Sequence, residues 1–278
     1  MSDANINIAE EYLRFTDAGD TEEAAIRRLM DIITILRKEC PWDRVQTHES
    51  LRGCLLEEAY EAAEAIDNAD IPNLREELGD VLLQVVFHSS LAAEKGHFVL
   101  KDVINDECDK MIRRHPHIFL KETVKSVDKA LEKWENVKRK ERGNGSHRSR
   151  LEEVPRALPA LLRSYKIQAR AAEVGFDWDD VVPAFRKIKE ETEELLEAYE
   201  KESKERISDE LGDLLFSIVN VARFLDIDPE RALESTSAKF VRRFGYIEES
   251  AAAKGRRLED MTLDEMDELW DEAKHLNK

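Results

Sequence analysis

The sequence predicts an all-α fold of two tandem helical-bundle modules, each built around an acidic helix hairpin, and three observations carry that prediction. Composition is the first: 37% of the 278 residues are charged and 42% hydrophobic, with only 10 Gly and 7 Pro. That balance suits helices with wide solvated faces better than a β-rich fold. The second is periodicity. Leu211, Leu214, Leu215, Ile218, Val219 and Ala222 recur at i, i+3, i+4, i+7, i+8 and i+11, a stripe expected to be buried on one helix face. Leu78, Val81, Leu82, Val85, Val86 and Ser89 repeat it earlier in the chain. The third is an acidic pattern written twice, with no convincing alternating strand segment anywhere.

The length accommodates two domains of ordinary size, each with its own core. In chain order the expected parts are a polar tail over 1–20, a first module over 21–137, a linker over 138–150 and a second module over 151–278. The linker, KRKERGNGSHRSR, is charged, holds Gly143 and Gly145, and has no apolar residue. The first 20 residues lack the basic start and apolar middle of a signal peptide, and no apolar run approaches the ~18–20 residues that cross a bilayer. Cys40, Cys54 and Cys108 are odd in number and widely spaced, so neither a disulfide framework nor a zinc site is indicated and a reducing cytoplasm is expected. A net charge of −18 argues against nucleic acid as a partner, because phosphate backbones are repelled at long range. Anionic ligands must then be met through local basic groups or a bound cation.

The duplication is ordered. Glu57-Glu58-x-x-Glu61 followed by Glu77-Leu78-Gly79-Asp80 recurs, 133 positions on, as Glu190-Glu191-x-x-Glu194 followed by Glu210-Leu211-Gly212-Asp213. Lys110-x-x-Arg113-Arg114 recurs as Lys239-x-x-Arg242-Arg243, and Trp134-x-x-x-Lys138 as Trp270-x-x-x-Lys274. Pro41-Trp42-Asp43 is loosely echoed by Asp177-Trp178-Asp179.

Residues three apart share a helix face, so Glu191 with Glu194 and Glu210 with Asp213 form carboxylate pairs. In an antiparallel hairpin, positions equidistant from the turn lie side by side. Both cross-pairs, Glu191 with Asp213 and Glu194 with Glu210, centre on position 202. Those of Glu58, Glu61, Glu77 and Asp80 centre on Ala69. Four converging like charges beside an apolar stripe are costly without a counter-ion. All-oxygen ligation points to Mg²⁺, with Mn²⁺ as a substitute. A di-iron centre fits less well, since those bundles place Glu-x-x-His where Asp stands here. Lys239 and Arg243, four apart, suit phosphate oxygens, whereas Trp270 suits either stacking on a base or packing. No G-x-x-x-x-G-K-[ST] occurs, which excludes a P-loop NTPase. His115-Pro116-His117 reads as a helix end.

Several segments carry a family resemblance: LRKECPWDRVQTHESL (36–51), LLEEAYEAAEAI, LREELGDVLLQVVFH and RRHPHIF in the first half. LPALLRSYKIQARAAEVGFDW, KEETEELLEAY, DELGDLLFSIVNVAR, KFVRRF and the Trp270 region follow in the second. In this order they resemble the two halves of the MazG family over nearly the whole chain from about Arg28. The resemblance implies a homodimeric, Mg²⁺-dependent nucleoside triphosphate pyrophosphohydrolase with broad base tolerance, cleaving between the α and β phosphates. It implies metal ligation by Glu191, Glu194, Glu210 and Asp213, from which the catalysis follows. Nucleotide contacts fall on Lys187, Glu190, Arg206, Asp209, Asp213, Lys239, Arg242, Arg243 and Trp270. Arg206 stands where the family pattern leads one to expect Lys. The resemblance also implies that the second module does most of the hydrolysis, and the residues agree: Lys187 aligns with Cys54 and Arg206 with Asn73. The first module, a second candidate metal site, thus lacks two cations, with Arg52 and Arg75 its nearest substitutes. The alternatives are a narrower, dUTPase-like all-α pyrophosphatase and a non-catalytic nucleotide- or metal-binding regulator.

Overall fold

The computed structural model describes residues 9–119 and 146–276, together with positions 126, 129, 134 and 137. Every regular element among them is helical, and the chain forms two compact units, Met1–Arg142 and Gly143–Lys278. The first unit contains α1 (Glu22–Glu39), α2 (His48–Asp67), α3 (Ile71–Glu94), α4 (Leu100–Arg114) and the single turn α5 (Pro116–Phe119). The second contains α6 (His147–Glu152), α7 (Ala160–Ala172), α8 (Val182–Lys201), α9 (Lys204–Phe224), α10 (Pro229–Ala253) and α11 (Leu263–Leu276).

Local chemistry explains where the hairpin helices start and stop. Thr47 opens α2 with a capping box: its Oγ1 accepts from the Ser50 amide at 3.2 Å, and Ser50 Oγ accepts from the Thr47 amide at 2.9 Å. Asp70 caps α3, accepting from Asn73 N at 3.1 Å, with Pro72 in the first turn where no intrahelical donor is needed. Between them Ala69 takes a left-handed φ of 53°, so the chain reverses at the centre that the acidic spacing specified. The second hairpin reverses at Glu202–Ser203, and Ser203 caps α9 by accepting from Arg206 N at 3.4 Å. Each such cap contributes about 1 kcal/mol.

In the first unit Ile33, Leu51, Val86, Phe87, Leu91 and Leu100 form a buried core, each large side chain contributing roughly 1.5–3 kcal/mol by leaving water. In the second, α7 docks on α9 through Gln168, whose Nε2 donates to the Phe216 carbonyl at 2.8 Å. The first turn of α10 is tied to α7 by Glu230, whose Oε1 accepts from the Leu161 and Leu162 amides at 3.0 and 3.3 Å. Farther along, α10 pairs with α11 around buried Ile247, Ala251, Leu269 and Ala273.

Three expectations are revised. The apolar stripes are not wholly buried: Leu211, Leu215 and Ile218 remain nearly half exposed, as do Leu78 and Leu82 at the equivalent positions of α3. Of the α9 stripe Val219 is buried, and the other buried positions of the helix are Glu210, Ser217 and Val221, because the hairpin partner α8 covers the acidic side of the helix. The expected linker ends early, since His147–Glu152 is helical and Ser146 caps it, accepting from Ser149 N at 3.1 Å; positions 138–145 lie outside the described residues. The expected tail is partly built: Glu10–Phe15 forms a 3₁₀ turn, and Arg28 Nε donates to the Phe15 carbonyl at 2.8 Å. Positions 1–8 lie outside the described residues. His115 does sit at a helix end, its Nδ1 2.7 Å from the Met111 carbonyl.

One contact in the first unit is sensitive to pH. His48 and His88 stack at 5.1 Å with Nδ1 atoms 2.8 Å apart, a bond that needs one neutral ring as acceptor. Burial, and then the His48 ring, hold His88 below the usual histidine range. The unfolded chain therefore takes up a proton that the folded unit resists. This contribution is complete above the ordinary histidine value of about 6.5 and is lost as pH falls through the folded-state value. Hydrogen exchange of the α3 amides is expected to quicken as pH falls below about 6.5, after correction for intrinsic rates, and the His88→Phe variant is expected to lose that dependence.

Candidate active site

Helices α8 and α9 bring Glu191, Glu194 and Glu210 together, with one carboxylate oxygen of each within 4.8 Å of the others. Glu191 and Glu210 are 4% and 2% exposed, and Glu194 faces solvent. Two cations, each one helical turn before its partner, support the buried pair: Lys187 pairs with Glu191 and Arg206 with Glu210. Lys187 Nζ also donates to Glu190 Oε1 at 2.8 Å. Hydrogen bonds to Glu190 first, then Glu191, push the Lys187 ammonium above the ordinary lysine range, so it stays charged. Partial desolvation, followed by the Glu191 and Glu210 carboxylates, raises Glu194 above the usual glutamate value. Glu191 Oε2 is buried with no hydrogen-bond partner among the described residues, an arrangement that costs stability unless another group meets it.

A cavity of about 580 Å³ adjoins the cluster, and Lys187, Glu191 and Asp213 form part of its wall. Asp213 thus faces the cavity rather than joining the close triad. Phe176, Trp178 and Phe216 supply apolar lining, while Gln168, Asn220 and Arg223 supply polar groups. Gly175, at φ 85°, makes the left-handed turn that leads the chain out of α7 and over the cavity; a side chain there would be strained. Arg223 donates to Asn220 Oδ1 through Nε at 3.0 Å and Nη2 at 2.8 Å, and to Asp177 Oδ1 at 2.5 Å. With its oxygen so held, the Asn220 amide keeps its NH₂ group as a donor. The cavity is the right size for a small organic ligand.

The remaining basic residues lie elsewhere. Lys239, Arg242 and Arg243 are on α10 and Trp270 on α11, and none of them lines the cavity. Trp270 packs against Phe240, ring centroids 5.1 Å apart, beneath the Arg243 guanidinium at 5.5 Å. Asp209 is exposed on α9 beside Glu210.

The first unit repeats the hairpin but not its surroundings. Its close set is Glu58, Glu77 and Asp80, a different three of the four equivalent positions. Desolvation first, then neighbouring carboxylates, raise both Glu58 and Glu77; Glu61 is among those neighbours. Where the second unit has Asn220, the first has Phe87, 4% exposed in the core beneath the Arg37 guanidinium at 5.7 Å. At this position the first unit thus has a packed ring in its core, where the second has a polar side chain on the cavity wall. Gln168, Asp177, Asn220 and Arg223 were not read from the sequence as site residues. The available signal was Asn220 and Arg223, two polar residues three apart on an otherwise apolar helix end.

Paired carboxylate hairpins, one of them open to a ligand-sized cavity, define a class of all-α two-module protein. Its particular family follows from comparison. The model of the MazG nucleotide pyrophosphohydrolase domain matches residues 46–119 and 183–246, one segment on each hairpin. The nucleoside triphosphate pyrophosphohydrolase/pyrophosphatase MazG of Thermotoga maritima is 46% identical over 257 residues, covering 91% of this chain and 98% of the relative. The nucleoside triphosphate pyrophosphohydrolase of Escherichia coli K12 is 41% identical over 256 residues, covering 90% and 97%. The crystal structure of a mazG-related protein from Thermotoga maritima aligns with 41% of this chain and 98% of its own, at 31% identity and a TM-score of 0.36. The chain belongs to the MazG family.

Proposed function

We propose that this chain is a Mg²⁺-dependent nucleoside triphosphate pyrophosphohydrolase, converting NTPs and dNTPs to the monophosphate and pyrophosphate, with its second module as the catalytic one. The observation that carries this reading is the buried, unpartnered Glu191 Oε2 within the Glu191–Glu194–Glu210 cluster, beside a cavity able to take a nucleoside. The relatives' names supply the reaction.

The donor set fits the ion: three converging carboxylates with an orphaned acceptor are all-oxygen ligands of the kind Mg²⁺ or Mn²⁺ takes. Asp213, on the cavity wall beside Glu191, completes the set of four. Bound there, the metal supplies charge neutralisation at the phosphate oxygens. Lys187 and Arg206 hold the buried carboxylates and present cationic groups to the phosphates; Lys239, Arg242 and Arg243, on α10 away from the cavity, are the further phosphate contacts that the family resemblance implies. Glu194, the solvent-facing carboxylate, orients the attacking water and accepts its proton; hydrolysis breaks the α–β anhydride and pyrophosphate leaves. The base occupies the cavity, whose aromatic walls accept any ring, in keeping with broad base tolerance. Glu58, Glu61, Glu77 and Asp80 form a second cation site, in a module that has Phe87 where the second has Asn220.

The exposed Leu211, Leu215 and Ile218, and their counterparts Leu78 and Leu82, favour a homodimer in which a second copy covers these faces. None of the described helices is long and apolar enough to cross a membrane. The free cysteines suit the cytoplasm, and the acidic charge disfavours nucleic acid.

Product analysis with labelled ATP tests the reading: AMP plus pyrophosphate is expected, and ADP plus phosphate would overturn it. A panel of NTPs and dNTPs measures base tolerance, with a single strongly preferred substrate pointing to the narrower enzyme. The Glu194→Gln variant is expected to lose most turnover; undiminished hydrolysis would remove the acidic cluster from the mechanism.

A further inference from the structure

The last turns of α1 and α3 and the 3₁₀ turn Asp43–Val45 border a cavity of about 500 Å³ in the first unit. No member of that unit's acidic cluster lines it. Arg37 and Lys38 reach it from α1, Ser90 and Glu94 from α3, and Arg44 from the turn. Three cations thus meet one carboxylate, in a chain whose net charge is −18.

Arg37 is committed to the scaffold. Its side chain is 10% exposed, and its Nε and Nη2 donate to the two oxygens of Glu94 at 2.7 and 2.6 Å. Nη1 donates to the Asp43 carbonyl and, at 3.2 Å, to the Gln46 carbonyl. One guanidinium therefore neutralises the carboxylate of the cavity and fastens the turn that carries Arg44. Hydrogen bonds from Arg37 hold Glu94 below the usual glutamate range, so the pair stays ionised. Glu39, beside Lys38 in sequence, accepts from the Tyr12 hydroxyl instead. Lys38 and Arg44 are exposed and form no ion pair among the described residues. The half-buried Ser90 hydroxyl has no hydrogen-bond partner among them either.

Two explanations compete for the free cations. Basic residues near a helix C-terminus offset the dipole, and Lys38 lies in the last turn of α1. Arg44 lies beyond that helix, however, on a turn that a nearly buried arginine fixes at the edge of a ligand-sized cavity. Dipole compensation needs neither the cavity nor the fixed turn.

We propose that this cavity binds a small phosphate-bearing anion. Lys38 and Arg44 contact its phosphate oxygens, and Ser90 donates a hydrogen bond to it. The local excess of cations concentrates anions there against the acidic field of the whole chain. The site lies apart from both acidic clusters, so it stands whether or not the second module hydrolyses nucleotides.

Pyrophosphate is the probe, titrated calorimetrically into the full chain in EDTA, where the acidic clusters have no cation with which to hold it. Its Kd is expected to rise at least about tenfold in Lys38→Gln/Arg44→Gln, the loss that follows from removing charge-assisted hydrogen bonds. In hydrogen exchange, pyrophosphate should slow the amides of 34–46 and 90–95 in the wild type and not in the variant. No binding to the wild type, or protection confined to other segments, would overturn the proposal. A variant that melts lower yet binds pyrophosphate equally would also overturn it and assign the cations to the helix dipole. So would the same protection from chloride at matched ionic strength, which would reduce the effect to screening. Orthophosphate and AMP distinguish the sources: tighter binding of AMP assigns the site to a nucleotide's phosphate, and tighter binding of pyrophosphate or orthophosphate to an inorganic one.

Discussion

Replacing Glu191 with glutamine is expected to lower ATP hydrolysis by at least about a hundredfold, since even residues that only support a metal ligand are worth 10–100-fold. The same change should leave the metal-free protein at least as stable as the wild type. Glu191 is 4% exposed, converges with Glu194 and Glu210, and has an oxygen without a partner. A neutral amide of the same shape relieves repulsion within the cluster. In the parent, Mg²⁺ should raise Tm by binding only the folded state; in the variant that rise should shrink or vanish. Thermal melts with and without Mg²⁺, beside the kinetics, separate this from simple unfolding. A variant less stable in both conditions would show that Glu191 is structural, its ion pair with Lys187 outweighing repulsion among the carboxylates.

Filling the cavity is the second large effect. Asn220→Phe, which copies Phe87 of the first unit, is expected to raise KM for all nucleoside triphosphates by roughly tenfold or more, or about 1.4 kcal/mol of lost binding. The ring would occupy space now bounded by Phe176, Trp178 and Phe216 and remove the acceptor that anchors Arg223. kcat should fall less, because the carboxylates are untouched. An unchanged KM would place the base elsewhere, and loss of KM discrimination in Trp270→Phe would then identify Trp270 as the platform. The reverse change, Phe87→Asn, should not create a second nucleotide site. Phe87 is part of the first unit's core, and truncating such a ring costs about 3–5 kcal/mol, a large part of a domain's stability.

Much of the hairpin geometry is legible in the sequence, for a simple reason. An antiparallel helix pair has a fixed rise and a short turn, so carboxylates equidistant from position 202 or Ala69 must lie opposite one another. Ala69, in the left-handed turn, is where that arithmetic centres. The apolar stripe was harder. Leu211, Leu215 and Ile218 follow the helical period as faithfully as Val219, yet only Val219 is buried, because period reports that a face is apolar without saying what covers it. The cavity residues were harder still. Gln168 and Asn220 are separated by more than 50 positions, and Gln168 comes from a helix with no acidic motif to mark it.

By itself, then, the sequence determined the helical class, the duplication, the acidic hairpins and the missing cations of the first module, because each is a matter of residue type at short, regular spacing. Only the tertiary structure decided which three of each four carboxylates close together, since that depends on ion pairs such as Lys187 with Glu191 and Arg206 with Glu210. It alone placed Asn220 beside open space and its counterpart Phe87 within a packed core. It also separated Lys239, Arg243 and Trp270 from the cavity that they seemed to follow in order. Order along a chain records duplication, but proximity depends on which long helices pack together, and α10 packs on α11 rather than across its own acidic hairpin.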